Sequence, residues 1–113
     1  MLTKKADVEM YNDLVLGILN ALGSQTLSII VYGSTARGTD IAESDIDVAV
    51  IVRSNLNNEE EDALSEFVVD MNLKYDKVFS VIDIENEVIE KWQNVVPFYK
   101  NMKKEGVVLW KVA

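Results

Sequence analysis

The stretch Gly33-Ser34-Thr35-Ala36-Arg37-Gly38-Thr39-Asp40-Ile41-Ala42-Glu43-Ser44-Asp45-Ile46-Asp47 separates two apolar runs, and its reading decides the fold. Before it stands Leu27-Ser28-Ile29-Ile30-Val31-Tyr32, and from its end runs Ile46-Asp47-Val48-Ala49-Val50-Ile51-Val52. Both runs are rich in β-branched residues and bounded by polar or glycine-bearing segments, the pattern of buried strands. A Gly-Ser turn at the end of one strand and an Asp-x-Asp pair at the start of the next would meet at adjacent strand ends. Such a meeting suits phosphoryl or nucleotidyl transfer.

The chemistry rests on residue type and spacing. Gly33 lacks a β-carbon, so it can take a positive φ and let another group approach the backbone. Ser34 and Thr35 are good helix-opening residues. A short helical turn there, ended by Gly38, would aim free N–H groups and the positive end of a dipole at a phosphate. The Ser34 hydroxyl would add a hydrogen bond, and Arg37 supplies a nearby cation whose direction the sequence leaves open. Asp45 and Asp47, two residues apart on a strand, face the same way, with Cα atoms roughly 6–7 Å apart. That spacing lets two carboxylates share one cation or hold a pair. Magnesium takes oxygen ligands, commonly one or two carboxylates together with substrate phosphates. Two such ions would clamp the attacking and leaving oxygens of an in-line displacement. A third carboxylate is expected from the strand Lys77–Glu85. Asp83 interrupts its apolar stretch and is the choice for metal ligand and proton acceptor, with Glu85 of the same parity as the alternative.

The residues Gly33, Ser34, Ala36, Gly38, Ser44, Asp45 and Asp47 resemble the signature of the DNA polymerase β-like nucleotidyltransferase superfamily. Within it they are similar to the minimal nucleotidyltransferase (MNT) group, which reads Gly-Ser-x-Ala-x-Gly and then Ser-Asp-x-Asp. The resemblance implies Mg²⁺, with two ions expected, and a nucleoside triphosphate donor such as ATP. It implies transfer of a nucleoside monophosphate to a hydroxyl. It places nucleotide contacts at Gly33, Ser34, Gly38 and Ser44, with Arg37 a secondary candidate from its position in the turn, and catalytic metal ligation at Asp45, Asp47 and, less directly, Asp83. It also implies a partner, because many MNT proteins are antitoxins to an all-helical HEPN toxin and some attach AMP to a toxin tyrosine.

Composition narrows the alternatives. The chain has 113 residues, enough for one domain (1–113) with one core. Without cysteine or histidine it has no disulfide, no Ser-His-Asp chemistry and no His- or Cys-ligated zinc. With 11 Lys and Arg against 19 Asp and Glu, the net charge of −8 disfavours nucleic acid and anionic membranes as partners. No signal-peptide pattern or membrane-length apolar run is present, so the expected location is the cytoplasm. The oligomeric state stays open. So do two other functions: a non-catalytic binding module that neutralises a helical partner, and nucleotidyl transfer to a small hydroxylated compound.

The periodicities predict the remaining elements. A helix is expected over Ala6–Leu22, stopped by Gly23. A second is capped by Asn57 or Asn58 and runs through Met71, a third covers Glu85–Trp92, and Pro97 opens a fourth to about Glu105. A last strand covers Val107–Trp110. The fold class is therefore α/β (α+β), a small mixed sheet with helices packed against it. Trp92, Phe98, Tyr99 and Trp110 read individually as core residues, although their density leaves partner binding open.

Overall fold

The computed structural model describes residues 5–33 and 45–113. Among them the chain forms α1 (Lys5–Leu22), a 3₁₀ turn (Gly23–Gln25), β1 (Thr26–Tyr32), β2 (Ile46–Val52), α2 (Asn58–Tyr75), β3 (Phe79–Glu85), α3 (Asn86–Trp92), α4 (Pro97–Glu105) and β4 (Val107–Lys111). These bounds match the expected elements to within a few residues. The short helical turn expected between Gly33 and Asp45 lies outside the described residues.

Local chemistry fixes the element ends. Asn57 caps α2 by accepting from the Glu60 N–H at 2.8 Å, while the Glu60 carboxylate accepts the Asn57 N–H at 3.0 Å. This reciprocal pairing satisfies two N–H groups that a helix start would otherwise leave bare. Pro97 stands at the start of α4, where its missing N–H costs nothing.

The four strands form one mixed sheet in the order β3-β2-β1-β4. β1 pairs antiparallel with β2 and with β4, whereas β2 and β3 run parallel. The parallel pair needs a crossover, which α2 supplies. Helices cover both faces, so β2 is buried on both sides and reads as an almost unbroken apolar run. On one face Leu14 and Ile18 of α1 and Leu64 and Met71 of α2 pack on Val48, Val50 and Val52. Leu14 and Ile18 are fully buried, each burial stabilising the fold by about 1.5–3 kcal/mol. On the other face Ile89 of α3 and Met102 of α4 pack on Ile30, Ala49 and Ile51. This second core is smaller. It leaves the sheet end near Tyr32 and Asp47 only half covered.

Candidate functional site

Strand pairing assembles the site. The antiparallel register sets Tyr32, the last residue of β1, opposite Asp47 on β2. Paired residues share a face, so Gly33 emerges beside the Asp47 carboxylate. Gly33 has φ +76°, and a β-carbon on it would lie 2.6 Å from Asp47 Oδ2. Both the conformation and the space require glycine here. The peptide that opens the signature loop is thus laid directly against one carboxylate of the pair.

Asp45 and Asp47 project to the same side, Asp45 exposed and Asp47 half-buried. Desolvation raises the Asp47 carboxyl above its ordinary range, and the Asp45 charge raises it further. Burial likewise raises the Tyr32 hydroxyl, with the Asp47 charge adding to the effect. A carboxylate pair partly withdrawn from water is relieved by a proton or a cation. The all-oxygen donor set suits a hard ion such as magnesium. No group of three or more His, Cys, Asp or Glu side chains able to hold a metal occurs among the described residues. Magnesium in nucleotide sites commonly completes its shell with phosphate oxygens and water.

Asp83 does not join the pair. In the parallel β2–β3 ladder Asp47 lies beside Ser80, and Asp83 lies beside Val50. Asp83 is therefore three residues, about 10 Å, further along, and its odd offset turns it to the opposite face of the sheet. Glu85 has the same parity and lies beside Val52, further still. The position level with Asp47 and on its face belongs to Ser80, whose hydroxyl donates a long 3.4 Å hydrogen bond to Asp45 Oδ2. The sequence did carry a signal for it. Ser80, like Asp83, interrupts the apolar run, and only the strand register tells which of the two faces the pair.

On its own face Asp83 meets Glu61 from the first turn of α2. Partial burial raises the Glu61 carboxyl, followed by the charge of Asp83, their hydrogen bond, and the charge of Asp62. Folding then favours protonated Glu61. That favour is fully present below the ordinary value of 4.5 and is lost as pH rises through the elevated folded value. Glu61→Gln keeps a donor to Asp83 without a charge. The variant is expected to have a higher urea midpoint than wild type at pH 7, and the gain should shrink as pH falls through the elevated folded value and be gone below 4.5. A lower midpoint at pH 7 would contradict this account.

The other expected nucleotide contacts, Ser34, Arg37, Gly38 and Ser44, lie outside the described residues, as do Asp40 and Glu43. The aromatic residues of the last quarter divide. Tyr99 and Trp110 are half-buried and pack against the two cores. Trp92 and Phe98 are each 41% exposed and Val95 is 67% exposed, so the core reading fails for Trp92 and Phe98. The reason is the shortness of α3 and α4, which send only Ile89 and Met102 fully into the sheet. No helix among the described residues is long and apolar enough to cross a membrane.

The nucleotidyltransferase domain family matches residues 13–108. None of the curated proteins matches the chain. Among solved structures, a chain from a toxin–antitoxin crystal structure with AMP-PNP is similar at 22% identity and TM-score 0.64, covering 90% of this chain and 73% of that one. A proposed nucleotidyltransferase from Sulfolobus solfataricus is similar at 18% identity and TM-score 0.56, covering 92% and 82%. A chain from a complex of tri-AMPylated Shewanella oneidensis HEPN toxin with MNT antitoxin is similar at 18% identity and TM-score 0.51, covering 92% and 72%. Likeness at these identities establishes a common fold.

Proposed function

The chain belongs to the nucleotidyltransferase domain family, and from that premise we propose that it moves AMP from ATP, with Mg²⁺, to a hydroxyl of a protein partner, as the antitoxin of a helical HEPN-type toxin. The observation that carries this reading is the approach of Gly33, the first residue of the signature stretch, to the Asp47 carboxylate at one sheet end. The solved complexes with AMP-PNP and with an AMPylated HEPN toxin, which share this fold, support the choice of donor and partner. The exposed Trp92 and Val95 give such a partner apolar surface to grip.

In the reaction an acceptor hydroxyl attacks the α-phosphorus. A new P–O bond forms, the bond to the bridging oxygen breaks, and its electron pair leaves with pyrophosphate. Magnesium, when bound, supplies neutralisation of phosphate charge. Asp45 and Asp47 would hold it, and Ser80 would steady the Asp45 carboxylate. Gly33 lets the loop backbone lie close to the phosphates. Asp83 faces away, so on this scheme it does not take the acceptor's proton. Catalysis on this scheme rests on positioning and charge.

A second reading, a binding module that neutralises its partner without chemistry, is favoured by one observation: Ser80 stands where a third carboxylate would complete the site. Mass spectrometry of the protein co-expressed with a HEPN partner separates the two. AMP on the partner, lost with Asp45→Asn, is expected. Neutralisation by Asp45→Asn with no AMP on the partner in either case would support the binding module instead.

A further inference from the structure

Beside Gly33 a pocket of 280 Å³ opens between the end of β1 and one side of α4. Tyr32 and Gly33 form one wall, and Phe98, Asn101, Met102 and Glu105 form the other. The four α4 residues follow the spacing i, i+3, i+4, i+7, a single helix face two turns long. Phe98 is held by two rings. It meets Tyr32 edge to face at 5.5 Å and 85°, and Tyr99 at 5.6 Å and 66°. A ring fixed in this way and still 41% exposed is a preorganised platform for another flat group.

We infer that this pocket seats the nucleobase of the donor, and that the base is adenine. The assignment rests on the proposed triphosphate end at Gly33, Asp45 and Asp47, and three observations extend it. First, the wall is continuous with that end, because the same Tyr32-Gly33 step lines the pocket and lies against the Asp47 carboxylate. Second, the volume of 280 Å³ lies just below the range of about 300–1,000 Å³ usual for ligand sites, which suits one ring system and not a whole nucleotide. The triphosphate would lie outside, over the carboxylates. Third, the polar lining matches an adenine edge. Asn101 offers a donor and an acceptor in one plane, the pairing that asparagine makes bidentately with adenine. A tyrosine from a partner would not use these groups. Its hydroxyl has to reach Asp45 and Asp47, leaving the Asn101 amide beside a bare ring.

Calorimetry with defined probes tests the assignment: MgATP, MgGTP, MgCTP and magnesium tripolyphosphate, on wild type, Phe98→Ala and Asn101→Ala. Wild type is expected to bind MgATP roughly tenfold or more tighter than tripolyphosphate, the scale of one stacked base. Phe98→Ala should bring MgATP down toward tripolyphosphate while leaving tripolyphosphate itself unchanged, which also serves as the control for folding. Asn101→Ala should shrink the preference for ATP over GTP by about tenfold. Tripolyphosphate and MgATP bound equally by wild type would overturn the base pocket alone. Binding of neither would remove the triphosphate end, and this assignment with it. Phe98→Ala that keeps full MgATP affinity but loses transfer to the partner would make the pocket the acceptor's seat and also overturn the proposal.

Discussion

Asp47→Asn is expected to lower nucleotidyl transfer by at least about 100-fold, the size of loss seen when one preorganised charge-stabilising group is removed from an active site. The fold should survive. Asparagine has nearly the same volume, and Asp47 is only half-buried at a strand end. The substitution also removes a desolvated charge that Asp45 repels, so the thermal midpoint is expected to hold or rise. Loss of function with retained or improved stability is the mark of a group kept for chemistry at a cost to the fold. Asp45→Asn should behave in the same way with respect to transfer, because on the proposed scheme both carboxylates hold the cation that offsets phosphate charge. The checks are AMP incorporation into the partner, the Mg²⁺ dependence of ATP binding by calorimetry, and a melting curve. Transfer at the wild-type rate in both variants would remove the site from this sheet end.

Gly33→Ala is expected to weaken MgATP binding by about tenfold or more, and a paired control isolates the reason. At φ +76° any β-carbon is strained, at roughly 1–2 kcal/mol, and here it would also fall 2.6 Å from Asp47 Oδ2. The carboxylate would have to swing away from the loop, separating the two halves of the site. Gly23 has a similar positive φ, +56°, with nothing within 4 Å of its would-be β-carbon. Gly23→Ala should therefore lose comparable stability and keep its nucleotide affinity. Calorimetric MgATP affinity and urea midpoints on both variants decide the matter. Equal affinity losses in the two would mean that backbone strain, and not the approach to Asp47, is what Gly33 relieves.

Much of this protein was legible because its signals are local. The β-branched runs at Ile29–Val31 and Val48–Val52 announced the two central strands. Asn57 or Asn58 before an acidic turn marked the start of α2, and Pro97 that of α4. The Asp45–Asp47 pair declared its common face through the period of two that any strand imposes. Gly33, placed at a strand end before Ser34, was a residue able to take a positive φ, and it takes one.

What the sequence could not decide depends on pairing between distant segments. Asp83 and Ser80 are three residues apart on one strand and differ in parity. Which of them meets Asp47 is set by the β2–β3 register, and a register is a relation between strands that neither strand encodes alone. The companionship of Asp83 with Glu61 likewise depends on where α2 crosses the sheet. The exposure of Trp92 and Phe98 depends on how little of the second face two short helices can cover. The pocket beside Gly33 exists because α4 lies across the end of β1, nearly seventy residues away in the chain. Sequence alone determined the elements and the chemistry carried by each, since backbone propensity and side-chain period act over a few residues. Tertiary structure decided which chemistries meet, since faces and registers are fixed only when the core closes on itself.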